Sequence, residues 1–245
     1  MTDLYCIDLE QFSLEQFRYR LENKDILPSR KILLEKMDER FETLASMGIE
    51  TLADLRAALR SKAKRKAFSE ASGLPVDYLV ILRREVNSYI SRPFNLEKIP
   101  GVNPDYVEKL AAIGVKHTKH LFKRGMTPAD RAALAEETGI PGDALLELVK
   151  LSDLARIVGV GPVFVRLLYD MGIDTPDVFL THSVAELLEK AHSDDEGAAL
   201  SPKDIEYCLE TAQYLPPSHR IRVEKQLTVP KISSQEVRDA RSADL

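Results

Sequence analysis

The chain has 245 residues, 44% of them apolar, enough to build the core of one large domain or two small ones. Its 34 basic residues face 39 acidic ones, a formal net charge of -5, which excludes a uniformly basic surface and confines any nucleic-acid contact to local patches. Cys6 and Cys208, the only cysteines, have no zinc-ligand spacing and exclude a disulfide framework, while no run approaches the ~18 apolar residues a bilayer span needs.

These features, with a start (MTDLYCIDLE) that lacks the basic and apolar regions of a leader, predict a soluble cytoplasmic protein without membrane contact. Residues 1–25 read as a short N-terminal segment, and a first helical module is expected over 26–90. In it MGIETLADL (47–55) places Gly48 at a helix end with another helix following. SRPFN (91–95) reads as the joint to a second module, 96–154. There PGVNPDYVEKL (100–110), IGVKHTKHL (113–121) and TPADRAALAEETG (127–139) predict further helices, the last with Thr127 as cap and Pro128 in the first turn.

A third module, 154–215, opens with IVGVGPVFV (157–165). Pro162 suits a first helical position, Phe164, Val165, Leu168 and Tyr169 recur at helical spacing, and Gly172 suits a helix stop. Modules two and three share the continuous stretch 145–159 and are expected to pack as one unit. SPKDIEYCLETAQ (201–213) predicts a last helix capped by Ser201, and 216–245 is expected to be an extended or disordered tail. Only RIRVEKQLTV (220–229) alternates like a strand, so the expected class is all-α.

The modules are related. A separation of 66 residues links Gly48 to Gly114, Gly73 to Gly139 and Pro75 to Pro141; one of 58 links Gly101 to Gly159, Pro104 to Pro162 and Gly114 to Gly172. LARIVGVGPVFVRLLYDMGI (154–173), a glycine hairpin between two helices, resembles the helix-hairpin-helix motif, in which the glycines let backbone N–H groups approach a phosphate. With TGIPGDALLELVKLSDLARIVGVGP (138–162) as the nearest stretch, residues 26–215 resemble the tandem helix-hairpin-helix family catalogued as domain of unknown function 4332. That resemblance implies an all-helical fold, contact with nucleic acid and no catalytic residues.

Candidate nucleic-acid contacts are Gly159, Val160 and Gly161, and in module two Gly101 and Val102, where Asn103 replaces the second glycine and Asp105 would repel phosphate. The aligned residues of module one, Glu35, Lys36 and Met37, contain no glycine, which predicts continuous helix or a different turn. Two acid-free basic runs add Arg56, Arg60, Lys62, Lys64, Arg65 and Lys66, then Lys116, Lys119, Lys123 and Arg124. Each run reads either as a polyanion site or as a solvated helix face. His117 and His120 lack a third ligand and read as a surface pair, and Asp194, Asp195 and Glu196 as a loop, so no metal is expected.

The sequence contains no GxSxG, P-loop or HExxH, and the expectation is no enzyme, no cofactor and no small-molecule substrate. Two functions remain: a non-catalytic module making weak, sequence-independent contact with DNA or RNA backbone, or a protein-interaction scaffold whose hairpins are purely structural.

Overall fold

A computed structural model describes residues 3–24, 26–193 and 201–217. The strand-like run 220–229, nearly all of the tail and the acidic residues 194–196 lie outside the described residues. In chain order the α-helices are α1 (Leu14–Asn23), α2 (Met37–Ser46), α3 (Leu52–Ala58), α4 (Lys62–Ser72), α5 (Val76–Ser88), α6 (Pro104–Ala112), α7 (Thr118–Arg124), α8 (Pro128–Thr138), α9 (Gly142–Leu154), α10 (Pro162–Asp170), α11 (Pro176–Phe179), α12 (Val184–Ser193) and α13 (Pro202–Ala212). Short 3-10 turns cover Pro28–Leu33 and Leu96–Lys98, and the described residues form no strand, only isolated bridges at Ser13–Thr51 and Asn95–His117. The fold is all-helical.

The glycine stops act through their backbone angles. Gly48, Gly114 and Gly172 have φ of 79°, 83° and 80°, a left-handed conformation that costs other residues about 1–2 kcal/mol. At each, the residue after the glycine donates its N–H to a carbonyl five positions back: Ile49 to Leu44, Val115 to Leu110 and Ile173 to Leu168. Both members of every pair are buried, so one local signal ends the helix and seals its end with an apolar contact. Helix starts repeat as well. Thr51, His117 and Thr175 cap α3, α7 and α11, accepting from the N–H three residues on. Helices α3, α4 and α5 begin at 52, 62 and 76, and α7, α8 and α9 begin 66 residues later, at 118, 128 and 142.

The N-terminal segment, which sequence reasoning left without a role, lies in the core. Tyr5, Ile7, Leu9 and Phe12 are buried, and the Tyr5 hydroxyl shares a 2.6 Å hydrogen bond with Thr118 of α7. The Phe12 ring stacks on Tyr214 at 4.7 Å, and the Asp8 N–H donates to the Tyr214 carbonyl at 2.8 Å. The start of the chain therefore meets residues just beyond α13. A further tie is Glu85 of α5, 1% exposed, whose carboxylate takes Lys24 at 3.1 Å and Arg30.

Candidate nucleic-acid interface

The glycine corners at Gly101 and Gly159 share one design. Val102 donates its N–H to Ile99 at 3.4 Å and Val160 donates to Ile157 at 3.2 Å, and the residue before each, Gly101 or Gly159, has a φ of 73° or 91°. Positive φ at the third of four turn residues suits glycine. Val160 is 7% exposed and turns into the core, while Gly159 is exposed. In module one the outcome is a different turn: three residues follow the 3-10 segment, the last of them Lys36, at φ 47° the one non-glycine residue with positive φ among the described residues, and α2 starts at the next residue.

The two glycines of the third corner are unlike each other. A Cβ on Gly159 would sit 3.0 Å from Cys208 Sγ and 3.5 Å from the Tyr207 ring, so α13 presses on the turn and the fold itself requires glycine there. Gly161 has an extended φ of -96°, and a Cβ on it would meet nothing within 4 Å. It is the N-cap of α10 without a capping side chain, and among the described residues neither the Gly159 nor the Gly161 N–H has a hydrogen-bond acceptor. In module two, Asn103 fills the cap position and accepts from the Asp105 N–H at 2.9 Å. The Pro100–Gly101 turn is also covered by Arg166 of α10, whose Nε donates to the Pro100 carbonyl at 2.8 Å while its other nitrogens bind Glu147 and Asp170.

The basic runs divide into three groups. Several members are held within the chain: Lys64 Nζ donates to the Ala57 carbonyl, Arg65 Nη1 to the Leu59 carbonyl at 3.0 Å, and Arg124 pairs with Glu137 at 2.7 Å. The Arg65 contact repeats 66 residues on, where buried Arg131 donates to the Gly125 carbonyl at 2.9 Å. Lys119 binds Asp3, with Lys123 3.5 Å from the same carboxylate. Burial works to raise the Asp3 carboxyl, but the Lys119 hydrogen bond and charge bring it below its ordinary value. A second group, Lys62, Lys66 and Lys116, is exposed, with Lys66 3.7 Å from Glu70.

A third group converges. Arg56, Arg60 and Lys119 line one cleft of about 810 Å³, together with Arg83 and Arg92, which sequence reasoning missed because they lie outside the acid-free runs. The Gly159 turn does not line this cleft, so the structure brings the two basic runs together there but not onto the hairpin.

The His117 and His120 rings lie 3.5 Å apart, tilted by 31°, and their pairing has a local cause. His117 occupies the cap position held by Thr51 and Thr175, and its Nδ1 accepts the His120 N–H at 3.2 Å. Only a neutral ring can accept there. Burial, with the His120 and Lys119 charges added, holds the imidazole below its ordinary 6.5. The folded chain thus binds this proton less readily than the unfolded one. The cap's stabilisation is complete above about pH 6.5 and is lost as pH falls through the lower folded-state value. We expect wild type to lose about 1 kcal/mol of stability in urea melts as pH drops below that point, and His117→Thr to lose none by this route.

Residues 100–198 match the family model described as a domain of unknown function, DUF4332. The match is narrower than the 26–215 resemblance and leaves out module one, the module whose corner has lost its glycines. No curated protein and no solved structure matches the chain. No helix among the described residues is long and apolar enough to cross a membrane, and no group of three or more metal-ligating side chains occurs among them.

Proposed function

We propose that this chain is a non-catalytic array of helix-hairpin-helix repeats that holds DNA or RNA by its backbone, independent of sequence, at the Gly159–Gly161 turn. The observation that carries this reading is Gly161. Its φ is available to any residue and its Cβ position is empty, so packing does not call for glycine; the N-cap position favours glycine over alanine but Asp, Asn or Ser over glycine, and the bare cap leaves the turn's N–H groups open to a phosphate oxygen. Exposed Val163, in the first turn of α10, leaves the approach uncovered on that side. Lys62 and Lys116 supply exposed positive charge for a longer polyanion.

The test is an electrophoretic shift at several salt concentrations with wild type, Gly161→Ala and Gly161→Asp. Aspartate at this position caps α10, its carboxylate accepting from the Val163 or Phe164 N–H and setting a negative charge at the turn, so the variant stays folded while the anion site is closed. Binding should weaken with salt and fall by about tenfold or more in Gly161→Asp, with Gly161→Ala between. No shift at low salt, or equal shifts for wild type and Gly161→Asp, would sink the proposal.

The second reading is a protein-interaction scaffold. It is favoured by the internal use of Lys64, Arg65, Lys119, Lys123 and Arg124, which leaves fewer cations for a strand than the sequence promises.

A further inference from the structure

The cleft of about 810 Å³ is built from four parts of the chain: the N-terminal segment, α3, α5 with the joint that follows it, and α7. Five cations line it (Arg56, Arg60, Arg83, Arg92 and Lys119) against three carboxylates (Asp3, Asp8 and Glu10), a local surplus of two positive charges in a chain of net charge -5. The carboxylates do not neutralise the arginines. Asp3 is taken by Lys119 and Lys123, and Asp8 accepts from the Glu10 N–H and the Gln11 side chain. Among the described residues Arg60, Arg83 and Arg92 have no carboxylate partner, and Arg56 reaches only the Asn87 side chain, at 3.4 Å. Gathering like charges in one concavity costs free energy that an anion would return.

We propose that this cleft binds a small organic phosphate: two or more phosphate groups on a compact apolar or planar body. Four of the five cations are arginines, whose planar forks match phosphate oxygens in pairs. The volume falls within the range of about 300–1,000 Å³ typical of small-molecule sites. Ile7, Leu9, Ala53 and Ile90 supply an apolar wall beside the charges. The lining disfavours a nucleic-acid strand: it contains no aromatic ring on which bases could stack, and Asp8 and Glu10 would repel phosphates that continue past the cleft. This site is separate from the Gly159–Gly161 turn and does not depend on it.

Isothermal titration of the full chain at low salt with ADP, and separately with inorganic pyrophosphate, tests the proposal. Saturable ADP binding is expected, tighter than pyrophosphate, and weakened about tenfold or more by Arg60→Ala and by Arg83→Ala. Thermal melts of both variants should match wild type, and Gly161→Asp should bind ADP unchanged, which separates this site from the hairpin. Three results would overturn the proposal: no saturable binding of ADP at millimolar concentration, affinity unaffected by the two arginine variants, or pyrophosphate binding as tightly as ADP. A short single-stranded oligonucleotide that binds through Arg60 and Arg83 while ADP does not would reassign the cleft to nucleic acid.

Discussion

Replacing Arg156 with alanine is expected to cost about 3–5 kcal/mol of folding stability and to lower the melting midpoint by roughly 10 °C. The side chain is 1% exposed, and the Asp153 carboxylate 2.5 Å from its Nη1 is fully buried. Nη2 donates to the Pro216 carbonyl at 2.6 Å, the guanidinium lies 4.6 Å from the Phe122 ring centre, and the Arg156 carbonyl accepts from the buried Ser91 hydroxyl. One residue therefore joins the end of α9, the joint at Ser91, α7 and the stretch beyond α13. Alanine would leave the Asp153 charge without its guanidinium in a site that has already lost its water. Asp153→Asn should destabilise strongly for the reciprocal reason. The double variant Asp153→Leu, Arg156→Met should recover much of the loss, because a buried ion pair gains little over apolar groups of similar volume. Urea melts check all three. A single Arg156→Ala variant within about 1 kcal/mol of wild type would contradict this account.

Arg156 also marks the limit of what the sequence made legible. Helix starts and stops were readable because their causes are local: Thr127 and Ser201 accept from N–H groups three residues on, and Gly48, Gly114 and Gly172 close helices with left-handed backbones. The His117 cap went unread, although aligning MGIETLADL, IGVKHTKHL and MGIDTPDVF puts the histidine in register with two threonines and would have shown it. The positive charges of the two basic runs could be seen, but not their partners. Asp3 lies 116 residues from Lys119, and nothing between them signals the pairing. Burial of the N-terminal segment was hidden similarly: YCIDLEQF alternates too briefly to announce a core strand or helix, and its rings find neighbours only once α7 and α13 are in place. Arg60 and Lys119 belong to the two basic runs and were visible as charges. Arg83 and Arg92 were not singled out, because no charge run flags them.

Gly159→Ala is expected to lose about 2–3 kcal/mol, and Gly161→Ala to stay within about 0.5 kcal/mol of wild type. Alanine at 159 must adopt a φ near 91° and also push its methyl to about 3.0 Å from Cys208 Sγ, so strain and overpacking add. At 161 the loss of unfolded-chain freedom stabilises slightly, and alanine's poorer N-cap character offsets it. Equal melting midpoints for the two variants would mean that α13 does not press on the turn. The contrast matters for function because weakened binding in a Gly159 variant could arise from loss of the fold alone. Binding lost in Gly161→Ala, with stability kept, cannot arise that way. A glycine pair that looks uniform in GVGP thus separates into one residue required by packing against α13 and one that packing leaves free to serve a ligand.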